Sequence, residues 1–384
     1  MKEGWEVKKL GEVCEIVGGS TPKTNESTYW DGEHFWVTPA ELDGSKYISS
    51  TTRKITDSGV KSAHLQLLPK GTVLLSSRAP IGKVAITTTP MYCNQGFKNL
   101  ICSDSLFNEY AYWFLLCNKD YLNALGTGAT FKEISKKVVG EIPIPVPPLP
   151  TQEKIVSELD CINSILEKKR EQLKELDALA QSIFYDMFGD PIQNEKGWEV
   201  RKFKDACDKI GDGLHGTPNY SDLGNIPFVN GTNLDNGKIR ITEKTLYVDE
   251  SEANKHYIEL NDSTVLLSIN GTLGRIALYN GENIILGKSV CYCNLKGYLD
   301  RAFVYSLMKT YSFMLFLEDN SSKSTIKNVG LKAIRDFSII LPPLPLQQEF
   351  ATKIEAIEKQ KELIKRSIAE VETLLASRMQ YYFG

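Results

Sequence analysis

This 384-residue sequence is a tandem duplication. Gly4–Leu10 reads GWEVKKL, and Gly197–Phe203 reads GWEVRKF 193 positions later. Pro147–Pro150 and Pro342–Pro345 both read PPLP, 195 apart, and the helical pattern after each ends in Phe-Gly, at Phe188-Gly189 and Phe383-Gly384. Self-similarity at a fixed period constrains a fold more than any local motif. A period of half the chain means two domain-sized copies, not a solenoid. Two copies in tandem imply pseudo-two-fold symmetry, which constrains what the chain can bind.

The length alone calls for two domains plus connectors. A hydrophobic fraction of 42% and a charged fraction of 24% are ordinary for a soluble protein. The net charge of −3 gives no global basic field, so any basic surface is local. The start, MKEGWEVKKLGEV, lacks the apolar region of a signal peptide, and no run of eighteen apolar residues spans a membrane. A cytoplasmic location is expected. The eight cysteines contain no CxxC pair, only the CxC of Cys291 and Cys293, and are read as reduced thiols rather than a zinc site.

Each half has a mixed part and a helical part. The mixed part is rich in Gly, Thr and Asn, with short β-like runs such as Thr72–Ser76 and Thr264–Ser268, both TVLLS. The helical part carries a heptad seam. In the first copy it runs Ile155, Leu159, Ile162, Leu166, Lys169, Leu173, Leu176, Ala180, Ile183. In the second it runs Phe350, Ile354, Ile357, Lys361, Ile364, Ile368, Val371, Leu375, Arg378, each position 195 after its counterpart. Steps of four and three sustained over four heptads mark a coiled-coil seam rather than a face docked on one domain. The helices are expected to pair antiparallel, with Lys169 and Lys361 fixing register. Prolines 143–150 and 342–345 are boundary signals, with the first helix expected from Thr151. The expected fold class is α+β: two mixed α/β domains in tandem pseudo-two-fold repeat, joined by two long helices. The divisions are 1–150, 151–188, 189–341 and 342–384.

Catalytic motifs are missing. Gly281–Ser289, GENIILGKS, resembles a phosphate loop, but Leu286 stands where the second glycine is required. No NPPY- or DPPY-type tetrapeptide, HExxH, GxSxG or deaminase pattern is present. No cofactor, no metal and no catalytic centre are expected.

The copies match most closely at polar loops. FWVTPAELD (Phe35–Asp43) pairs with PFVNGTNLD (Pro227–Asp235), and LLSSRAPIGKVAI (Leu74–Ile86) with LLSINGTLGRIAL (Leu266–Leu278), both 192 apart. Thr21-Pro22 pairs with Thr217-Pro218, and GATFKEI (Gly128–Ile134) with SKSTIKNV (Ser322–Val329). Gly82 and Gly274 read as turn residues. The polar and basic residues are either turn formers or donors to phosphates and base edges; the residues alone leave both open. The candidate DNA contacts are Thr21, Lys23, Ser77, Arg78, Lys83, Lys98, Thr130 and Lys132 in the first copy. In the second they are Thr217, Asn219, Asn230, Asn233, Asn270, Lys288, Lys323, Ser324 and Lys327. Residues 1–150 carry 16 Lys and Arg against 15 Asp and Glu, while 151–187 carry 5 against 8, so acidity concentrates in the first helix.

In this order and duplicated, the GWEV openings, strand–Gly loops, PPLPTQEKI and PPLPLQQEF lead-ins and heptad helices resemble the specificity subunit of type I restriction–modification systems. The resemblance covers the whole chain. It implies that each mixed segment is a target-recognition domain reading half of a split double-stranded DNA site. It implies that the helices are a spacer and a docking surface for two methyltransferase subunits, with restriction subunits in the larger complex. It also implies that chemistry, including base flipping, belongs to the partners. The chain runs to Phe383-Gly384 directly after the second helix, so no contact from a longer carboxyl-terminal tail is expected. Half-sites one duplex turn apart lie about 34–36 Å apart on one face, and a helix over 151–186 would measure roughly 50 Å at ~1.5 Å per residue. The rival readings are a stand-alone site-specific DNA-binding protein, a coiled-coil adaptor without DNA binding, and an enzyme with a dispersed site.

Overall fold

The computed structural model describes residues 5–78, 80–128 and 132–384. The chain divides into two compact units. Unit 1 comprises Met1–Arg170 with Arg366–Gly384, and unit 2 is Glu171–Lys365. Each unit therefore holds one mixed segment, part of the long helix that follows it, and part of the other long helix.

In unit 1 a five-stranded sheet runs in the order Cys14–Gly18, Lys98–Cys102, Val73–Leu75, Val84–Thr87, Tyr47–Ile48. Beside it lies a three-stranded sheet of Lys54–Ile55, Trp30–Val37 and Tyr92–Cys93. Unit 2 repeats the frame with Cys207–Asp212, Val290–Leu295, Thr264–Ser268 and Ile276–Leu278, and with Tyr247–Val248, Ile226–Val229 and Ile285–Leu286. The TVLLS runs are central strands in both, fully buried as expected of continuous apolar runs. The duplicated openings serve one purpose. Glu6–Lys9 pairs antiparallel with Pro143–Val146, and Glu199–Lys202 with Ser338–Leu341, tying the start of each mixed segment to its end. Unit 2 adds a hairpin, Leu234–Asp235 with Lys238–Ile239. Its turn is Asn236-Gly237, both at positive φ (47° and 80°), the dipeptide that a tight hairpin favours.

The long helices are Leu149–Phe188 and Leu344–Phe383, 40 residues each. The first starts two residues before the expected Thr151, and the second two residues after the expected boundary at 342. A proline in the first turn loses no intrahelical bond, so Pro150 and Pro345 are tolerated there. The Pro148 carbonyl accepts from the Thr151 and Gln152 amides (2.8 and 3.1 Å), and the Pro343 carbonyl from those of Leu346 and Gln347 (2.9 and 3.2 Å).

The predicted seam is the buried stripe. Ile155, Leu159, Ile162, Leu166, Ile354 and Ile357 are buried, while Leu173, Leu176, Ile364, Ile368, Val371 and Leu375 are half-buried. Leu179 and Leu363, off the seam, are exposed at 47% and 64%, while Val156 and Phe184, also off it, are buried in the cores of their units. Within each unit the helix segments run antiparallel. In unit 1 the Arg378 guanidinium and Tyr382 hydroxyl donate to the Glu158 carboxylate (3.0 and 2.6 Å), and Arg170 pairs with Glu372 at 2.7 Å. In unit 2 Lys361, only 7% exposed, bonds Asp177 (2.7 Å) and Glu358 (2.6 Å). Burial alone would lower the Lys361 pKa, but the two carboxylates reverse this and hold its ammonium above the ordinary value. The seam lysine Lys169 is half-buried.

Each helix start is locked by a glutamine in the same place. Gln152 is fully buried; its carbonyl accepts from the Phe107 amide (2.8 Å), and its amide donates to the Ser105 and Pro147 carbonyls (3.0 and 2.8 Å). Gln347, 195 residues on, accepts from the Asp300 amide (2.8 Å) and donates to the Tyr298 and Pro342 carbonyls (3.1 and 2.7 Å). Among the described residues, no helix is long and apolar enough to cross a membrane.

Candidate nucleic-acid interface

Each unit presents one loop pair built by the same three devices. In unit 1 the strand Val73–Leu75 runs into Ser76, whose hydroxyl donates to the Pro80 carbonyl (2.8 Å) and accepts from the Lys83 amide (2.8 Å). In unit 2 Ser268 does the same with the Thr272 carbonyl (2.6 Å) and the Arg275 amide (2.8 Å). Gly82 and Gly274 close the two loops at φ +86° and +78°, with their amides bonded to the Ser76 and Ser268 carbonyls (3.0 Å each). Positive φ is the reason for glycine there, as the turn reading expects. The third device is a cation holding a neighbouring 3₁₀ turn. Lys83 donates to the Pro39 and Leu42 carbonyls (3.1 and 2.8 Å), and Arg275 to the Thr232 carbonyl (3.1 Å).

Against this loop each unit sets a second one from late in the copy. In unit 1 Arg78 bridges to Glu133, and in unit 2 Asn270 bridges to Asn328. The frame matches but the chemistry differs. Arg78 donates to Glu133 at 2.9 Å, and Lys98 reaches the other oxygen of that carboxylate at 3.2 Å. Burial alone would raise the Glu133 pKa, yet the hydrogen bonds from Arg78 and Lys98 hold the carboxyl below its ordinary value. Asn270 donates to Asn328 at 3.2 Å with no charge involved. Beside the unit 1 pair lies an open cavity of about 360 Å³ lined by Arg78, Lys83, Asn94 and Gln95.

The structure sorts the sequence candidates. Arg78, Lys132, Lys288, Lys323, Ser324 and Lys327 are exposed, and Asn270 is half-buried at its tip. Lys23, Thr217 and Asn219 are exposed too, but on loops early in their copies. Thr21 bonds Gln95, which joins its loop to the unit 1 tip. Thr130 lies outside the described residues. Four candidates are redirected to support. Ser77 is fully buried, its hydroxyl meeting Lys98 at 3.3 Å. Asn233 is 7% exposed and donates to the Arg240 carbonyl (2.9 Å) and Thr245 (3.0 Å). Asn230 accepts from Ser289 at 3.1 Å, and Lys83 holds the 3₁₀ turn described above. Ser77 and Asn233 have their polar groups consumed inside the fold, where an unbonded buried group is costly. Asn219 holds Glu252 through its backbone amide (3.0 Å) and side chain (3.2 Å), and with Lys255 pulls that carboxyl down to about 2.

Sequence reasoning missed Glu133, Asn328 and Gln95. No local motif marks them; they matter through partners more than fifty residues away or on a neighbouring loop. It also missed Gln152 and Gln347, although PPLPTQ aligned with PPLPLQ displays them. All eight cysteines are unpaired, with the Cys291 and Cys293 sulfurs 3.8 Å apart. Among the described residues, no group of three or more His, Cys, Asp or Glu is placed to hold a metal ion.

Two units with one loop scaffold and different tips, each carrying segments of two long helices, define a duplicated recognition protein rather than a single-site one. The sequence matches the type I restriction modification DNA specificity domain over residues 2–176 and again over 195–373, and the chain belongs to that family. It is 31% identical over 383 residues to the type I restriction enzyme MjaIX specificity subunit of Methanocaldococcus jannaschii, covering 92% of this chain and 86% of that protein. It is 22% identical over 417 residues to the EcoKI specificity subunit of Escherichia coli K12, covering 98% and 88%. Among solved structures it resembles a chain of the type I R-M system (TM-score 0.65, 19% identity, 100% and 98% coverage). It also resembles the S subunit of the type I restriction-modification system from M. genitalium (TM-score 0.56, 14% identity, 99% and 96% coverage). At those identities the likeness is one of fold.

Proposed function

We propose that this chain reads a bipartite, asymmetric double-stranded DNA site, one half with each unit, and directs the methyltransferase and restriction subunits of a type I complex to it. Residues 1–150 and 189–341 are the reading domains, and 151–188 and 342–384 are the spacer helices on which two methyltransferase subunits dock. Chemistry belongs to those partners, and this chain is non-catalytic. One observation carries the reading: the loop pair recurs with like supports and unlike tips, Arg78–Glu133 against Asn270–Asn328. Like supports with unlike tips suit two different half-sites. Sequencing of methylated genomic DNA from cells expressing the complex tests this. A split motif with unlike halves is expected; a continuous or palindromic motif overturns it.

Helix length is proposed to set the gap between the half-sites. The Arg170–Glu372 and Asp177–Lys361 pairs fix which residues to remove together. Deleting the heptads 168–174 and 366–372 keeps the seam in phase and shortens the pair by about 10 Å. At ~3.4 Å per base pair the gap then contracts by about three base pairs, with the half-sites unchanged. An unchanged gap in an active variant sinks the ruler and leaves the helices as a docking surface.

A further inference from the structure

We infer that Ile326 is a specificity-determining residue, its side chain packing against the 5-methyl group of a thymine in the half-site read by unit 2. The inference rests on the DNA-reading function proposed above. Ile326 is 64% exposed at the tip of the second loop of unit 2. A large aliphatic residue in that position gains little from folding, yet the loop around it is closed by its own hydrogen bonds. Its carbonyl accepts from the hydroxyls of Ser324 (2.6 Å) and Ser322 (3.3 Å), and the Asn328 amide donates to the Ser322 hydroxyl (3.1 Å). The Ser322 amide closes the loop on the Asn328 carbonyl at 2.9 Å, and Val329, fully buried, anchors its end. Scattered exposed apolar residues are normal; this one recurs. Thr325-Ile326-Lys327 aligns with Thr130-Phe131-Lys132, so an apolar residue stands between Thr and Lys in both copies, the first lying outside the described residues.

The surroundings select the ligand. Lys323 and Lys327 are exposed on either side of Ile326. Both cationic side chains are longer than isoleucine, and although Lys327 lies 3.5 Å from Glu318 in the free protein, a lysine of this length can exchange that exposed carboxylate for a backbone phosphate while the apolar tip meets the base edges. The thymine methyl is the apolar feature of the major-groove edge. A wedge between base pairs would need a side chain that leads the approach, and isoleucine is the shorter neighbour of two exposed lysines, Lys323 and Lys327.

The test uses the full chain in complex with its methyltransferase, on duplexes of the motif found by methylation mapping. Each thymine is replaced in turn by deoxyuridine, which lacks only the 5-methyl group. Wild type should lose about fourfold in affinity at one position, the worth of one buried methyl. Ile326→Ala should bind the unmodified duplex correspondingly less tightly and be indifferent to deoxyuridine there, while Ile326→Val keeps the sensitivity. Indifference of wild type to every replacement, equal sensitivity of Ile326→Ala, or half-sites without an A·T pair overturns the inference. Failure of the DNA reading itself would look different: wild type would not distinguish the motif from a scrambled duplex.

Discussion

The tips of the two units are the same construction loaded with opposite chemistry. In unit 1 a carboxylate, Glu133, sits between Arg78 and Lys98. In unit 2 the matching bridge joins two neutral amides, Asn270 and Asn328, and the β-strand residue in the place of Lys98 is the buried Cys291. Beneath them three supports match, Ser76 with Ser268, Gly82 with Gly274 and Gln152 with Gln347, and only the cation changes, from Lys83 to Arg275. The two copies share what folds and differ at the tips. A support fails if one bond is lost, because its groups are buried; a tip in water tolerates exchange.

The comparison breaks most easily at the helix ends. Phe188 is fully buried against Phe184, Phe303 and Phe350, with ring centroids 5.2, 4.8 and 5.2 Å away. Its counterpart Phe383 is 7% exposed, with the Tyr110 ring at 5.2 Å, the Phe114 ring at 6.0 Å and its neighbour Tyr382 at 6.3 Å. Phe188→Ala should cost about 3–5 kcal/mol in denaturant unfolding, with Phe383→Ala at or below the low end of that range. Equal losses would mean the better-packed cluster adds nothing.

Next come the glutamine locks. Gln152→Ala and Gln347→Ala should each cost about 1–3 kcal/mol, because each strands buried backbone groups. The two values should agree, and a difference above about 1 kcal/mol would show that identical bonding does not mean equal worth.

At the tips the expected effects are on binding. Glu133→Gln releases Arg78 and Lys98, so non-specific DNA affinity should rise and the salt slope steepen by about one phosphate contact per freed cation. Asn328→Asp installs a carboxylate in unit 2 and should do the reverse. Titrations at several salt concentrations read both, and matching signs would refute the charge contrast. The smallest effect is that of the tip lysines. Lys132→Ala and Lys327→Ala should each flatten the slope by roughly 0.9 while weakening all sequences alike. Lys327, 3.5 Å from Glu318, should show the lesser change; an unchanged slope in both places these lysines off the DNA.

Much of the fold was legible because its signals are local or periodic. The seam from Ile155 to Leu176 and from Ile354 to Leu375 follows from side chains recurring every three or four residues on one helix face. The TVLLS strands and the loop glycines at 82 and 274 are equally short-range. The candidate site was legible only in part. Composition marked Ser77, Arg78, Asn233 and Asn270 alike as polar loop residues, and nothing in the sequence separates the two that are buried from the two at the tips.

By itself the sequence determined the duplication, the heptad seam and the loops that recur, since offset and periodicity are properties of residue order. Only the tertiary structure decided which polar groups remain for a ligand. Arg78 lies 55 residues from Glu133, and Asn270 lies 58 from Asn328. Those loops meet because the intervening strands pair in a particular register. Register is settled by burying whole strand faces at once, a condition no single residue or motif expresses.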